Sequence, residues 1–223
     1  MAVIDITTKI VARTELAIDE VILSAAPRPL LSRTAEARLG VRHREVLEQL
    51  DELFMTNGFA SFTIADLARE VGCSRRTLYE LAPSKAQLVL LVLDRRLHRM
   101  GRAALASMDP TASMADQLRQ YISGAIGYEF YAPMIEDLVD DGPARRLVDR
   151  HYRFSMTVVQ RIVALGIERG EFAPVDPAIV AAVVTGSSHY FSQSDVAHET
   201  GRSLSELVLG MLDVVIAGLP VER

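Results

Sequence analysis

The sequence lacks the features that mark secreted, disulfide-bonded or membrane proteins. Its 223 residues include a single cysteine, Cys73, which excludes an internal disulfide framework and a zinc site built from several cysteines. The longest apolar runs, 88–93 and 178–184, are far shorter than the roughly 20 residues that span a bilayer. Charged residues interrupt positions 5–15, where a signal peptide needs an unbroken apolar stretch. We therefore expect a soluble cytoplasmic protein in a reducing compartment.

Signatures of catalysis and of metal binding are also missing from the sequence. It has no GxSxG nucleophile motif, no Walker phosphate-binding loop and no HExxH zinc motif. Its five histidines show no i, i+3 or i, i+4 pairing with one another and have no cysteine partners. We therefore predict that the protein is not an enzyme and that it binds no metal and no cofactor.

The composition is that of a folded protein with an uneven distribution of charge. Hydrophobic residues make up 49% of the chain and charged residues 24%, with a net charge of -5, so there is ample material for a core and disorder throughout is excluded. The segment 33–100 has a net charge of +2, whereas 101–223 has a net charge of -6. This asymmetry is typical of a nucleic-acid-binding segment joined to one that does not bind nucleic acid, although on its own it is a weak signal.

The hydrophobic periodicity is helical almost everywhere and predicts an all-α fold in three parts. Residues 1–40 form an N-terminal extension: either a helix over 1–26 that packs on the body or a disordered arm that contacts DNA, followed by a linker over 27–40. The acidic residues of 1–26 favour the helix. One domain is expected over 41–100 and a second over 101–223. The latter is expected to contain helices over 112–130, 133–139, 144–169, 178–193 and 204–218.

The segment 63–81 predicts two short helices joined by a tight turn. Thr63 is a good N-cap, and apolar residues follow it with helical spacing. Gly72 can adopt the backbone conformation of a sharp turn, Ser74 caps the second helix, and Pro83 stops it. Two short helices around a glycine turn, within a unit of three to four helices, form a helix-turn-helix.

The second short helix displays residues suited to DNA recognition. In a helix-turn-helix this helix enters the major groove, where arginine can bind guanine bidentately. Leu78 and Leu81 are expected to face inward, which leaves Arg75, Arg76 and Tyr79 outward. The predicted DNA-binding residues are Thr63, Ser74, Arg75, Arg76, Thr77, Tyr79, Lys85 and His43. From spacing alone, the two arginines could equally be ordinary solvated charges, and Glu80 would be repelled by phosphate.

The segment from Leu53 to Leu93 resembles the DNA-binding domain of the TetR family of transcriptional regulators. The resemblance lies above all in Thr77-Leu78-Tyr79 followed by Pro83-Ser84-Lys85. It implies a homodimer with a helix-turn-helix DNA-binding domain over 41–100 and a helical ligand-sensing and dimerisation domain over 101–223. A small effector that binds the second domain is expected to release the operator. The rest of the chain fits this family only by its length and helical pattern.

Three departures from the family pattern affect the interpretation. Leu81 stands where the family has an aromatic residue or histidine, which removes a phosphate contact. Ala82 stands where it has phenylalanine, which removes an apolar wedge that Leu81 is expected to replace. The leader of some forty residues is longer than usual. An alternative function is therefore a TetR-like protein with altered or lost DNA specificity that acts through a protein partner.

Aromatic and methionine side chains after the helix-turn-helix are candidates for lining an effector pocket. Most must be core residues, yet methionine and tyrosine also line adaptable ligand cavities. The predicted pocket residues are Met100, Tyr121, Tyr128, Tyr131, Met134, Tyr152 and Met156. The prediction is thus a ligand-responsive repressor whose partners are an operator in double-stranded DNA, a small molecule and a second copy of the chain.

Overall fold

The computed structural model describes residues 20–128, 132–193 and 196–219, and these form helices without a β-strand, which confirms the predicted all-α class. The helices are α1 (Glu20–Ala25), α2 (Arg33–Arg38), α3 (Val41–Asn57), α4 (Ile64–Glu70), α5 (Arg75–Leu81), α6 (Lys85–Ala106), α7 (Met114–Ala125), α8 (Ala132–Asp140), α9 (Gly142–Glu168), α10 (Pro177–Gln193), α11 (Val196–Thr200) and α12 (Leu204–Ala217). Within the described ranges, no helix is long and apolar enough to cross a membrane.

The chain divides into two compact units, each assembled from separate parts of the sequence. The first, called here the helix-turn-helix unit, comprises 28–100 and 128–151; the second unit comprises the described residues of 1–27, 101–127 and 152–223. The prediction separated 41–100 from everything else. Residues 28–40 and 128–151 instead belong with this segment, because α3 packs against α8 and the backbone N–H of Leu30 donates to Asp94 Oδ2 (2.8 Å).

The core of the helix-turn-helix unit is built on the apolar stripe of α3. Val46, Leu50 and Phe54 are fully buried, at the i, i+4, i+8 spacing that places them on one face of the helix. Phe54 meets Phe59 edge to face, with ring centroids 6.0 Å apart. Leu67 of α4 and Leu78 of α5 complete this core and hold the two short helices in place.

The second unit is a larger helical bundle with its own apolar core. Buried residues of this core come from α7, α9, α10 and α12, with Ile22 of α1 packed among them. Helix α10 packs against α12, and α12 also contacts α7. On its surface, Arg119 of α7 pairs with Asp213 of α12 at 2.8 Å.

Two sequence predictions about helices need correction, and a third is tested only in part. The proposed linker 27–40 contains a helix, α2, because Ser32 caps it by accepting a hydrogen bond from the Ala35 N–H (3.2 Å). The helix expected over 112–130 ends at Ala125, since Ile126 is extended and Gly127 adopts a positive φ of 94°. Of the helix expected over 1–26, only 20–25 is described and helical; residues 1–19 lie outside the described residues.

Candidate DNA-binding surface

The turn between α4 and α5 has the geometry that the sequence predicts. Gly72 has a φ of 60°, a conformation that costs residues with a side chain about 1–2 kcal/mol. The Cys73 N–H donates to Ala68 O (2.9 Å), which closes the end of α4. The buried side chains of Leu67 and Leu78 then fix the angle at which α5 leaves the turn. The recognition helix therefore starts from a rigid support.

Both short helices begin with a capping residue that the sequence identifies. Thr63 Oγ1 accepts from the Asp66 N–H (3.2 Å), and Asp66 Oδ2 accepts in return from the Thr63 N–H (3.0 Å). Hydrogen bonds to this carboxylate from the Thr63 hydroxyl and the Thr63 N–H, together with one from Arg69, lower the pKa of Asp66 to about 2. Ser74 Oγ accepts from the Thr77 N–H (3.1 Å) and lies 2.9 Å from Thr77 Oγ1. Thr63, Ser74 and Thr77 thus stabilise the helix starts on which DNA contact depends.

Two side chains of α5 project freely into solvent. Arg75 is exposed, and the structure records no hydrogen bond or ion pair between it and any described residue. Tyr79, one helical turn further on, is 53% exposed. Residues four positions apart lie on the same face of a helix, so Arg75 and Tyr79 form a strip whose polar atoms are available to another molecule.

The neighbouring strip of α5 is engaged within the protein. Arg76 Nε pairs with Glu80 Oε1 at 3.0 Å, although the arginine side chain is 89% exposed. His43 Nε2 of α3 lies 3.3 Å from the other oxygen of Glu80. The hydrogen bonds from Arg76 and His43 hold the pKa of Glu80 below its usual value. The carboxylate that would repel phosphate is therefore engaged by the Arg76 guanidinium and the His43 imidazole.

Lys85 lies at the start of α6 and contacts the loop that precedes α4. Its Nζ donates to Ala60 O (2.8 Å), and partial burial lowers its pKa, an effect that Asp137 and Asp141 oppose. An ammonium group has three N–H donors, so a phosphate contact at Lys85 remains compatible with this bond. That contact stays a prediction.

Two residues that organise this surface were missed by the sequence reasoning. Arg42 of α3 donates from Nη2 to the carbonyls of Val71 (3.3 Å) and Gly72 (2.7 Å), and so holds the helix-turn-helix turn. Asp137 of α8 accepts from the N–H groups of Phe59 and Ala60, the second at 2.7 Å. Neither role is visible in a local pattern, because each joins segments that are distant in the sequence.

Comparisons with known proteins agree with this geometry. Residues 46–92 match the family model described as bacterial regulatory proteins, tetR family. The uncharacterized HTH-type transcriptional regulator YfiR of Bacillus subtilis (strain 168) is 27% identical over 150 residues, which is 63% of this chain and 73% of YfiR. The sequence likeness to the TetR family is therefore carried by the segment that contains the helix-turn-helix.

Solved structures show that the TetR fold extends well beyond the matched segment. A TetR-family regulator from Cytophaga hutchinsonii aligns with a TM-score of 0.66 at 17% identity, covering 86% of this chain and 99% of that one. A protein from Saccharomonospora viridis, solved in complex with choline, aligns with a TM-score of 0.65 at 18% identity, covering 81% and 98%. At these identities the likeness concerns the fold alone.

The second short helix compensates only in part for its departures from the TetR pattern. Leu78 is fully buried as expected, but Leu81 is half-buried, so the inward orientation predicted for both is correct for Leu78 alone. Ala82, where the family has phenylalanine, is itself buried. Leu81 therefore does not fully replace the missing wedge.

The predicted pocket residues of this regulator are divided between the two units. Met100, Tyr128 and Met134 belong to the helix-turn-helix unit, and Tyr121, Tyr152 and Met156 to the second unit; Tyr131 lies outside the described residues. Tyr121 is buried, which raises its pKa to about 12, and its hydroxyl donates to Ser155 Oγ (3.3 Å). Tyr152 meets His189 edge to face at 5.0 Å. The pocket stays a prediction.

Proposed function

We propose that this chain is a dimeric, ligand-responsive repressor of the TetR family and that it reads its operator mainly through Arg75 and Tyr79 of α5. The observation that supports this most directly is the pair of strips on the recognition helix. Arg75 and Tyr79 are exposed, whereas Arg76 is held by Glu80. An arginine without an internal partner loses no ion pair when it binds a base, so Arg75 is the better candidate for direct readout.

The dimer is proposed from the exposed face of α10. Positions 178, 179, 182, 183, 186 and 190 are all exposed, and their spacing places them on one side of the helix. Ile179 is 64% and Val183 45% exposed, as is Val214 at 75% on the adjacent α12. A Cβ at Gly186 or Gly210 would meet nothing within 4 Å, so a second backbone has room to approach there. Pairing of α10 and α12 with their copies would bury this apolar face.

Release by an effector is proposed from the likeness to ligand-binding proteins of the same fold. The Saccharomonospora viridis relative was solved in complex with choline, and the tyrosines of the second unit are the residue type that lines adaptable cavities. Native mass spectrometry of the purified chain would reveal any co-purified small molecule. Addition of that molecule is then expected to weaken operator binding, and an unchanged operator affinity would contradict the effector role.

The experiment that tests DNA reading compares four alanine variants on operator DNA and on random DNA at several salt concentrations. The operator is sought in the DNA upstream of the chain's own gene. Arg75→Ala is expected to cost roughly 1–3 kcal/mol on the operator and to relax preference at one base pair per half-site. Arg76→Ala is expected to cost less, because its guanidinium is already paired with Glu80.

Lys85→Ala serves as the phosphate-contact variant. Arg102→Ala is the matched control, because Arg102 is an exposed arginine of the second unit. Loss of one phosphate contact is expected to weaken binding to all sequences alike and to lower the salt slope by about one unit. If Arg75→Ala kept full discrimination, base reading would not lie with Arg75. If the wild-type protein showed no preference for any sequence, the alternative of a partner-dependent protein would replace this proposal.

A further inference from the structure

Three potential metal ligands meet inside the helix-turn-helix unit, away from the surface proposed to contact DNA. Asp94 and His98 lie one turn apart on α6, and His151 comes from α9. Asp94 is 2% and His151 6% exposed, and the side chain of His98 is 17% exposed. Such burial is unusual for a carboxylate, which loses its hydration and requires compensation by a charge or by hydrogen bonds.

The distances within this cluster are those of ligands around a metal ion. The His98 Nε2 lies 3.6 Å from Asp94 Oδ1, and the His151 Nε2 lies 3.9 Å from the same oxygen. Both distances exceed the usual 2.7–3.2 Å of a hydrogen bond. Two ligands bound tetrahedrally at about 2.0–2.2 Å from Zn²⁺ lie about 3.3–3.6 Å apart. Shifts of a few tenths of an ångström would bring these two distances into that range, and the ligand atoms of the two histidines lie within 4.8 Å of each other.

The three groups also lie close enough together to share one ion. One ligand atom from each residue lies within 4.8 Å of the other two. The two imidazole rings are nearly perpendicular, at 84°, with centroids 4.8 Å apart. Among the described residues, Asp94 Oδ1 and His151 Nε2 have no hydrogen-bond partner, so both atoms have lone pairs or protons that nothing else satisfies.

A backbone contact sets the direction of the Asp94 carboxylate. Its second oxygen, Oδ2, accepts a hydrogen bond from the Leu30 N–H (2.8 Å), which leaves Oδ1 for the histidines. Hydrogen bonds of this kind to the outer atom of a ligand commonly orient metal sites. Arg96, two residues further along α6, pairs with Asp51 at 3.0 Å, so its charge is balanced by another carboxylate.

From this geometry we propose that Asp94, His98 and His151 bind one divalent transition-metal ion. The ligand atoms are Asp94 Oδ1 and the Nε2 atoms of the two histidines, and water takes the fourth position. Two imidazoles and one carboxylate suit Zn²⁺, Co²⁺ or Ni²⁺ better than Mg²⁺ or Ca²⁺, which prefer oxygen ligands alone. The ion would join α6 to α9 within the helix-turn-helix unit, and would correct the sequence-based expectation of no metal.

The sequence reasoning missed this cluster because it searched for pairs of histidines. The i, i+4 pair on α6 consists of a carboxylate and a histidine, and the third ligand lies 53 positions after His98 in the chain. Aspartate followed by histidine at this spacing is common on ordinary helices as a simple ion pair. Only the position of His151 on α9 distinguishes a metal site from such an ion pair.

The test uses the full chain without a histidine tag, freed of metal with EDTA and then titrated with Co²⁺. We expect one equivalent of Co²⁺ per chain, with the intense visible absorption of a low-symmetry, four-coordinate site. His98→Gln and His151→Gln should each weaken Co²⁺ binding by at least about 100-fold, since loss of an outer contact alone costs 10–100-fold. His198→Gln, at an exposed histidine of α11, is the matched control and should bind as the wild type does.

Two results would overturn the proposal. One is a wild-type chain that gains no Co²⁺ absorption and no thermal stabilisation from Co²⁺ or Zn²⁺ in large excess, which would identify the cluster as an ion-paired network. The other is unchanged Co²⁺ affinity in both glutamine variants. Should a variant fail to fold in the metal-free state by circular dichroism, the Co²⁺-loaded wild type decides: its NMR spectrum is expected to show two strongly shifted imidazole N–H signals, and their absence would refute the site.

Discussion

The two units differ in how they expose large apolar side chains. In the helix-turn-helix unit the exposed ones, Leu30, Val41, Tyr79 and Val139, lie on four separate segments. In the second unit Ile179, Val183, Tyr190 and Val214 lie on α10 and α12, two helices that pack against each other. Isolated apolar residues are normal on a surface, whereas a grouped set marks an interface.

The polar contacts of the two units reinforce this difference. The helix-turn-helix unit has ion pairs between its helices, such as Arg96 and Arg99 with Asp51. Burial nevertheless raises the pKa of Asp51, although the two arginines oppose that change. The exposed face of α10, by contrast, has no acidic, lysine or arginine side chain at positions 178–190. The difference between the units therefore lies in this uncharged apolar face, since the second unit also has an ion pair between helices, Arg119 with Asp213.

The strongest test of this comparison places a charge on the grouped apolar face. Ile179→Arg or Val214→Arg is expected to weaken dimerisation by about 3–4 kcal/mol, or several hundred-fold, because the partner would bury an unpaired guanidinium. Operator affinity should fall with it, since a monomer reads one half-site. Sedimentation velocity at micromolar concentration measures the dimer directly.

Val139→Arg is the matched control, because Val139 is 62% exposed on α8 of the helix-turn-helix unit but stands alone. It should leave the sedimentation behaviour unchanged. A wild-type chain that sediments only as a monomer of 24.5 kDa would remove the contrast between the units altogether.

A second test addresses how α8 holds the helix-turn-helix unit together. Gly58 has a φ of 70°, and a Cβ there would collide with Asp137 and lie 3.0 Å from Pro133 O. Gly58→Ala is therefore expected to lower the free energy of unfolding by about 2–3 kcal/mol, from backbone strain and steric overlap together. Hydrogen exchange of peptides from 41–100 would assign the loss to this unit.

Gly72→Ala separates the two causes in that experiment. Gly72 has a similar φ of 60°, but a Cβ there would meet nothing within 4 Å. Its substitution should cost only the backbone strain, about 1–2 kcal/mol. Equal losses in the two variants would mean that the close approach of α8 to Gly58 contributes nothing to stability.

The smallest expected effect concerns the cap of α4 and its dependence on pH. Because the pKa of Asp66 is lowered to about 2, its ionised form stabilises the fold fully above the unfolded pKa of about 3.9. This contribution is lost as the pH falls toward 2. The difference in melting temperature between wild type and Asp66→Ala should thus be present at pH 7 and shrink below about pH 4.

Glu70→Ala, on the same helix but outside the cap, serves as the reference for that measurement. Its melting temperature should follow the wild type throughout the titration. A difference for Asp66→Ala that persisted unchanged into acid would show that its carboxylate is not the stabilising form.

Local features of the site could be predicted from the sequence with accuracy. The caps at Thr63 and Ser74, the turn at Gly72 and the starts of α5 and α6 all agree with the structure. Each depends on hydrogen bonds or backbone preferences within a few residues, which a sequence pattern records directly. The all-α class follows equally from helical periodicity.

The partners of the predicted DNA-binding side chains could not be predicted in the same way. Arg75 and Arg76 are adjacent and chemically identical, yet only Arg76 pairs with Glu80. The i, i+4 spacing allows that pair, but the contact from His43 on α3 to the same carboxylate depends on how α3 and α5 pack. The sequence therefore predicts which side chains could contact DNA, but not which of them lack a partner within the protein.

The sequence alone determined where the two short helices of the helix-turn-helix start and stop, because those choices are made between near neighbours. Only the tertiary structure decided that Asp137 binds the N–H of Ala60, 77 positions away, and that Asp94, His98 and His151 share one buried space. Contacts of this kind depend on the packing of whole apolar faces, which many residues specify jointly and no short pattern records.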